Sequence, residues 1–122
     1  MNVFLERGEQ LARSRELMKG DREFISALAL VSIHSAIAFN DALLVKLTGS
    51  YSVSQDHMSA VRHAKKQCSS RKIPTHGFQQ LEKLVAKKAT VSYSDERTTF
   101  ELAFALSEAS RRFEAWVRPL LK

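Results

Sequence analysis

Two polar residues interrupt the most apolar stretch of the 122-residue chain, and their types allow acid–base chemistry. His34 and Asp41 are seven residues apart, so on a helix they lie on one stripe. A buried aspartate costs several kcal/mol unless it is paired or hydrogen-bonded. The pair either lines a pocket as an acid and a base, or forms a buried polar seam, satisfied by neighbouring helices or by a subunit interface. The pattern favours the seam, and His57 is either part of it or a surface residue.

The positive charge of the chain is concentrated in one segment. Residues 57–94 contain eight basic residues and one acidic residue, Glu82, which gives +7, whereas the other residues hold 11 basic and 12 acidic groups, which gives −1. Such a patch favours phosphate backbones, acidic proteins or anionic surfaces. The alternative is a solvated face whose sign is incidental. The candidate phosphate-binding residues are Arg62, Lys65, Lys66, Arg71, Lys72, Lys87 and Lys88.

Common catalytic and cofactor motifs do not occur in the sequence. There is no Glu-x-x-His pair for a di-metal carboxylate site. Glycine-rich nucleotide loops and Gly-x-Ser-x-Gly are also missing. The single cysteine, Cys68, excludes an intrachain disulfide and a multi-cysteine metal site, and its position suits a small buried hydrophobe. We therefore expect neither a metal nor a cofactor.

The length and a hydrophobic fraction of 44% predict one domain over residues 1–122. Apolar residues recurring every seven positions predict a first helix of about 17 residues that ends at Gly20. Asp21 is expected to cap the second helix. That helix is apolar on nearly every side, which predicts that other helices surround it.

Three further helices are expected in the second half of the chain. The third covers roughly residues 54–68, with Ser52 and Gln55 as a capping box and Ser54 as a competing cap. Thr75 is expected to cap the fourth helix, and the weak helix formers in KKATVSYS to interrupt it.

Ser94 is expected to cap the fifth helix. Its predicted core residues are Phe100, Phe104, Leu106, Phe113, Val117 and Leu120. No strand pattern occurs. The expected fold is therefore all-α, an up-and-down bundle of four main helices plus a shorter fifth.

The sequence also bears on location. No stretch approaches the roughly 18 uncharged apolar residues of a membrane span. The N-terminal residues MNVFLERGEQ carry acids where a signal peptide has a basic and then an apolar run. We expect a cytoplasmic protein with no membrane partner.

Several segments resemble the HEPN superfamily of helical-bundle proteins. They are SIHSAIAFNDALL, then DHMSAVRHAKK after a short loop, then KLVAKKATVSY before a final amphipathic helix. The likeness covers most of the chain. It implies a bundle of four long helices plus a short one, usually in a two-fold dimer. Many members are metal-independent RNases, often toxins paired with a small nucleotidyltransferase, and others are non-catalytic modules that bind RNA or nucleotides.

The catalytic motif of that family is degenerate here. Catalytic members carry Arg-x4–6-His before the last helix, often with Asn after the Arg. The simplest alignment places Lys88 at the Arg, Ala89 at the Asn and Tyr93 at the His. A variant motif, Arg-x4-His-x-Tyr, places Ala86 at the Arg and Val91 at the His. Neither alignment supplies the histidine, whose pKa of about 6.5 suits proton transfer near neutral pH.

Tyr93 is a poor substitute, because the pKa of tyrosine lies near 10. Lys88 can hold a phosphate as a point charge, without the bidentate fork of arginine. The leading hypothesis is therefore a non-catalytic HEPN-like homodimer that binds RNA, a nucleotide or an acidic protein through the basic segment. It would fit a toxin–antitoxin type pair with a small nucleotidyltransferase partner. The alternatives are a metal-independent RNase toxin with a divergent acid–base set, drawing on His57 or His76, and a pure protein-interaction bundle.

Overall fold

All regular secondary structure in the described part of the chain is helical. The computed structural model describes residues 2–51 and 56–122. Within these ranges there are five α-helices: α1 (Val3–Met18), α2 (Ile25–Thr48), α3 (His57–Ser70), α4 (Phe78–Tyr93) and α5 (Phe100–Val117). Short 3-10 turns precede α2 and follow α5. The predicted all-α class is confirmed.

The helix α2 lies at the centre of the structure. Thirteen of its 24 residues are buried, and it packs against α1, α3, α4 and α5. A helix that is apolar on all sides is stable only when other elements cover each side. Gly8 lets α1 approach closely, since a Cβ there would lie 3.2 Å from the Phe39 ring. The central position predicted for this helix is confirmed.

The core is completed by one buried stripe from each of the later helices. Val61 and Cys68 of α3, Leu84 of α4 and Phe113 of α5 are at most 1% exposed. Cys68 is a small buried hydrophobe as predicted, and burial raises the pKa of its thiol. Phe104 is 41% exposed, so its predicted core position is wrong. It follows the buried Ala103, and one residue turns a helix by about 100°, away from the stripe.

The first helix boundaries follow the sequence signals. Gly20 and Gly49 have φ values of 86° and 80°, the left-handed conformation that ends α1 and α2. The Asp21 carboxylate accepts a hydrogen bond from the Glu23 backbone N–H over 2.9 Å, but it caps the 3-10 turn Arg22–Phe24 that leads into α2 rather than α2 itself, whose N-cap is Phe24. The N-cap of α3 is Asp56, so this helix begins slightly later than expected. The predicted capping box of Ser52 and Gln55, with Ser54, lies outside the described residues.

The predicted boundaries of α4 and α5 need correction. The Thr75 side chain does not cap α4, which begins at Phe78 with Gly77 as its N-cap. The segment KKATVSYS does not interrupt α4, since Val91 packs against the core and packing outweighs local propensity.

The start of α5 is also later than predicted. Ser94 accepts from the Glu96 backbone N–H within a turn, rather than capping α5. Thr99 is the N-cap, and its Oγ1 accepts from the Leu102 backbone N–H over 3.1 Å. The helix α5 therefore begins at Phe100.

One segment has the length and composition of a membrane span. Residues Arg22–Thr48 form 27 helical residues with a window of mean hydropathy 1.7, which corrects the expectation that no stretch approaches a span. In that window 72% of the residues are buried inside the structure, as in the core helix of a soluble protein.

Candidate phosphate-binding surface and groove

Two of the predicted phosphate-binding residues are engaged in contacts within the protein. Lys65 Nζ lies 2.9 Å from Glu82 Oε1, and this ion pair joins α3 to α4. Arg71 Nη2 donates to the backbone oxygen of Leu47 at the end of α2 over 2.7 Å, and its Nη1 donates to Gln67 Oε1. These two charges hold helices together, so they are poorly placed to bind a ligand.

Other residues of the same set remain available. Lys66, Lys72 and Lys87 are exposed, and their side chains form no ion pair or hydrogen bond within the described ranges. Arg62 is exposed and lies 3.9 Å from Asp56, a surface pair that contributes little. Apart from Arg71, which is engaged within the protein, the exposed Lys and Arg residues of α3, α4 and their connection form what we call the basic surface: Arg62, Lys66, Lys72, Lys83 and Lys87.

Lys72 has an unusual backbone conformation. Its φ is 59°, in the left-handed region, where it closes the end of α3. The backbone N–H of Ile73 donates to the Cys68 oxygen over 2.9 Å, and that of Lys72 donates to the Ser69 oxygen over 3.1 Å. This is the Schellman arrangement, which usually has glycine at the Lys72 position. The position therefore carries a charged side chain where glycine would be the less strained residue.

The His34–Asp41 stripe lines a groove between α1 and α3. The groove has a volume of about 420 Å³ and is lined by Arg7, Leu11, His34, Ile37, Ala38, Asp41 and His57. His34 and Asp41 are half-buried, and neither has a hydrogen bond or ion pair with any described residue. They share a stripe as their spacing predicts, but they face an open groove. Neighbouring helices of the same chain therefore do not satisfy the pair, and the arrangement suits the pocket-lining interpretation. A seam satisfied by a subunit interface stays a prediction.

Lys88 acts on both histidines of the groove. Burial lowers the pKa of His34 and of His57, and the positive charge of Lys88 lowers each pKa further. Both imidazoles are therefore mainly neutral near neutral pH. The Nζ of Lys88 also lies 5.6 Å from the centroid of the Tyr93 ring. The lysine at the degenerate motif position thus acts electrostatically on two histidines, one from α2 and one from α3.

Asp41 gives the groove a group that titrates close to neutral pH. Burial raises the pKa of its carboxyl to about 6, although the positive charge of Arg7 acts in the opposite direction. Above that pH, Asp41 is a carboxylate that has no ion pair with a described residue. Below that pH, Asp41 is a neutral carboxyl group. The charge of the groove therefore changes over the range in which Asp41 titrates.

The remaining motif positions and the second candidate histidine do not join the groove. Ala89 is exposed, and Tyr93 is 80% exposed at the end of α4. His76 lies at the opposite end of α4, where its ring is 6.0 Å from that of Trp116. Of the two histidines considered from the sequence, His57 is the one that lines the groove and whose pKa Lys88 lowers.

The described residues hold no group of three His, Cys, Asp or Glu side chains that could bind a metal ion. Comparison with protein-family models, with curated proteins and with solved structures finds no match to this chain. The HEPN resemblance, and the dimer and partners that it implies, therefore stay predictions.

Proposed function

We propose that the chain is a non-catalytic, HEPN-like RNA-binding domain of the cytoplasm that uses the basic surface. One observation carries the proposal: Lys66, Lys72 and Lys87 are exposed and have no acidic partner among the described residues. They lie in the segment that holds the positive excess of the chain. Separated cations of this kind neutralise successive phosphates of a strand and release its counterions.

The proposal includes the finer architecture and the assembly. The five helices would form the up-and-down bundle of four main helices and a shorter fifth, and two copies would form a homodimer. Exposed apolar side chains support an assembly, since Leu17 is 85%, Phe24 44% and Phe104 41% exposed. Light scattering tests this part, and a monomer mass at working concentration would contradict it.

The salt dependence of RNA binding tests the RNA-binding proposal. A triple variant, Lys66→Glu, Lys72→Glu and Lys87→Glu, lowers the formal net charge from +6 to 0, since each reversal removes two charges. Affinity for single-stranded RNA should fall strongly. The slope of log affinity against log salt should fall by about 2, because each contact on a single strand contributes about 0.7.

A matched control separates a local surface from net charge. Arg13→Glu, Arg112→Glu and Lys122→Glu also lower the formal charge from +6 to 0, at exposed positions outside the basic surface. The proposal expects this control to retain most of the affinity and the slope. Equal losses in the two triple variants, or unchanged binding in the first, would contradict it.

A second candidate function, metal-independent RNA cleavage, is favoured by one observation. His34 and His57 both lie within the electrostatic influence of Lys88, so they offer the acid–base group that the motif lacks. RNA incubated with protein and a metal chelator distinguishes the candidates. Cleavage that His57→Ala abolishes and Tyr93→Phe leaves intact would establish the second candidate, whereas RNA that is bound but intact supports the first.

A further inference from the structure

Polar groups from three helices line the groove between α1 and α3: Arg7 from α1, His34 and Asp41 from α2, and His57 from α3. Lys88 of α4 acts electrostatically on both histidines. None of the five side chains makes a hydrogen bond or ion pair with another described residue. Arg7 is exposed and the other four are half-buried, and polar groups that converge on a groove with apolar walls are typical of a ligand site.

The charge and shape of the groove indicate the ligand class. Arg7 and Lys88 supply positive charge. The Arg7 guanidinium carbon lies 5.3 Å from the centroid of the Phe4 ring, and Lys88 Nζ lies 5.6 Å from that of the Tyr93 ring. Arg7 also acts electrostatically on Asp41. A phosphate is attracted to both cations and accepts hydrogen bonds from imidazole N–H groups.

The groove also has an apolar part that suits a nucleoside. Leu11, Ile37 and Ala38 lie between the polar groups. The volume of about 420 Å³ is within the range of small-molecule sites. A phosphate with an attached nucleoside fits this combination better than a bare anion.

We propose that this groove is a phosphate-binding subsite for nucleotides, gated by the protonation of Asp41. This subsite rests on the proposed function, because it would give the RNA-binding domain a separate place for the phosphate at the end of an RNA strand or of a nucleotide. Arg7 and Lys88 attract the phosphate, and His34 and His57 donate hydrogen bonds to it. The Asp41 carboxylate repels the phosphate, and its protonated form permits binding.

The charged and titratable groups at the groove, among the described residues, each act in a defined direction. Asp56, next to His57, opposes anion binding, since a hydrogen bond from the Ser59 side chain lowers the pKa of its carboxyl and keeps it negative. Arg7 on α1 and Lys88 on α4 attract an anion. Asp41 on α2 loses its negative charge as the pH falls through about 6. His34 on α2 and His57 on α3 gain positive charge at lower pH, since burial and Lys88 lower the pKa of each. All changes strengthen anion binding as the pH falls.

Sulfate is the suitable probe, because its charge does not change over this range whereas a phosphate monoester titrates near pH 6. NMR signals of His34 and His57 report occupancy, and the exposed His63 and His76 serve as internal controls. Sulfate should shift the NMR signals of His34 and His57. Its affinity should be about tenfold higher near pH 5.5 than near pH 8. No shift of either groove histidine at any pH would overturn the proposal.

Two variants separate the gate from the site. Asp41→Asn should tighten sulfate binding about fivefold near pH 8 and leave it nearly unchanged near pH 5.5. Lys88→Met should weaken binding at both pH values, whereas Lys46→Met, at an exposed position on α2, should not. An Asp41→Asn variant with the pH dependence of the original protein would overturn the gating by Asp41.

The source of the phosphate is tested with RNA and with a nucleotide. A 5′-phosphate that strengthens RNA binding over a 5′-hydroxyl assigns the groove to the RNA end. A free nucleoside monophosphate that shifts His34 and His57 assigns it to a separate nucleotide. The absence of both effects overturns the proposal. If the protein binds no RNA, the proposed function fails, while the sulfate titration still decides the groove.

Discussion

Arg15 of α1 donates from Nη2 to Glu114 Oε1 of α5 over 2.6 Å, although Arg15 is only 2% exposed. Its other nitrogens donate to Ser110 Oγ and Glu16 Oε2, each over 2.9 Å. Burial alone would raise the pKa of Glu114, but hydrogen bonds from Arg118 and Arg15 outweigh it and lower the pKa. The network fixes α1 against α5, and its charges are used within the fold rather than for a ligand.

Removing the buried guanidinium should destabilise the protein. Arg15→Met leaves Ser110 Oγ and Glu114 Oε1 without the guanidinium, although Arg118 still donates to Glu114 Oε2. Losing hydrogen bonds to buried groups in this way should cost about 2 kcal/mol. Urea unfolding near neutral pH measures the loss. Arg13→Met, an exposed neighbour on α1, should change the free energy of unfolding by less than about 0.5 kcal/mol. Similar values for the two variants would show that the network does not stabilise the α1–α5 contact.

Asp41 should make stability depend on pH in the opposite sense to most carboxylates. Its pKa is raised in the folded protein from 3.8 to about 6, so the folded state holds the proton more tightly. The stabilisation that comes from this tighter proton binding is complete at pH values below the pKa of Asp41 in the unfolded chain. It is lost as the pH rises through the pKa of Asp41 in the folded protein.

Asp41→Asn should therefore be more stable than the original protein near pH 8, by about 1 kcal/mol after allowance for screening in the open groove. The advantage should shrink towards pH 4. Thermal unfolding of both proteins at the two pH values measures it. A difference of the same size at both values would contradict the raised pKa.

The start of α5 can be tested with two alanine substitutions. Thr99→Ala removes the hydroxyl that accepts from the Leu102 backbone N–H, and losing an N-cap costs about 1 kcal/mol. Ser94→Ala, in the turn before α5, should cost less than about 0.5 kcal/mol. Urea unfolding compares them. A larger loss for Ser94→Ala would place the start of α5 at the position predicted from the sequence.

Much of the fold was predictable because its signals are local. The all-round apolar pattern predicts a central α2, and Gly20, Gly49 and Asp21 mark helix ends by their own conformations and side chains. The end of α4 was not predictable in this way. Its last turns contain weak helix formers, and the contact of Val91 with the core depends on the packed fold.

The candidate site was predictable only in part. The spacing of His34 and Asp41 predicts their common stripe, but not that α1 and α3 leave it open. The electrostatic effect of Lys88 on His57 depends on the way α3 and α4 pack. The Lys65–Glu82 ion pair joins these two helices, and no local sequence pattern contains that packing. For the same reason, the sequence does not show that Lys65 and Arg71 are already engaged.

The most direct test of RNA binding through the basic surface is a titration of isotope-labelled protein with single-stranded RNA at low salt, followed by backbone amide NMR. The account predicts that amide shifts concentrate around Lys66, Lys72 and Lys87 and reverse when salt is added, because phosphate contacts release counterions. Shifts confined to α1 and α5, or no shifts at low salt, would contradict it.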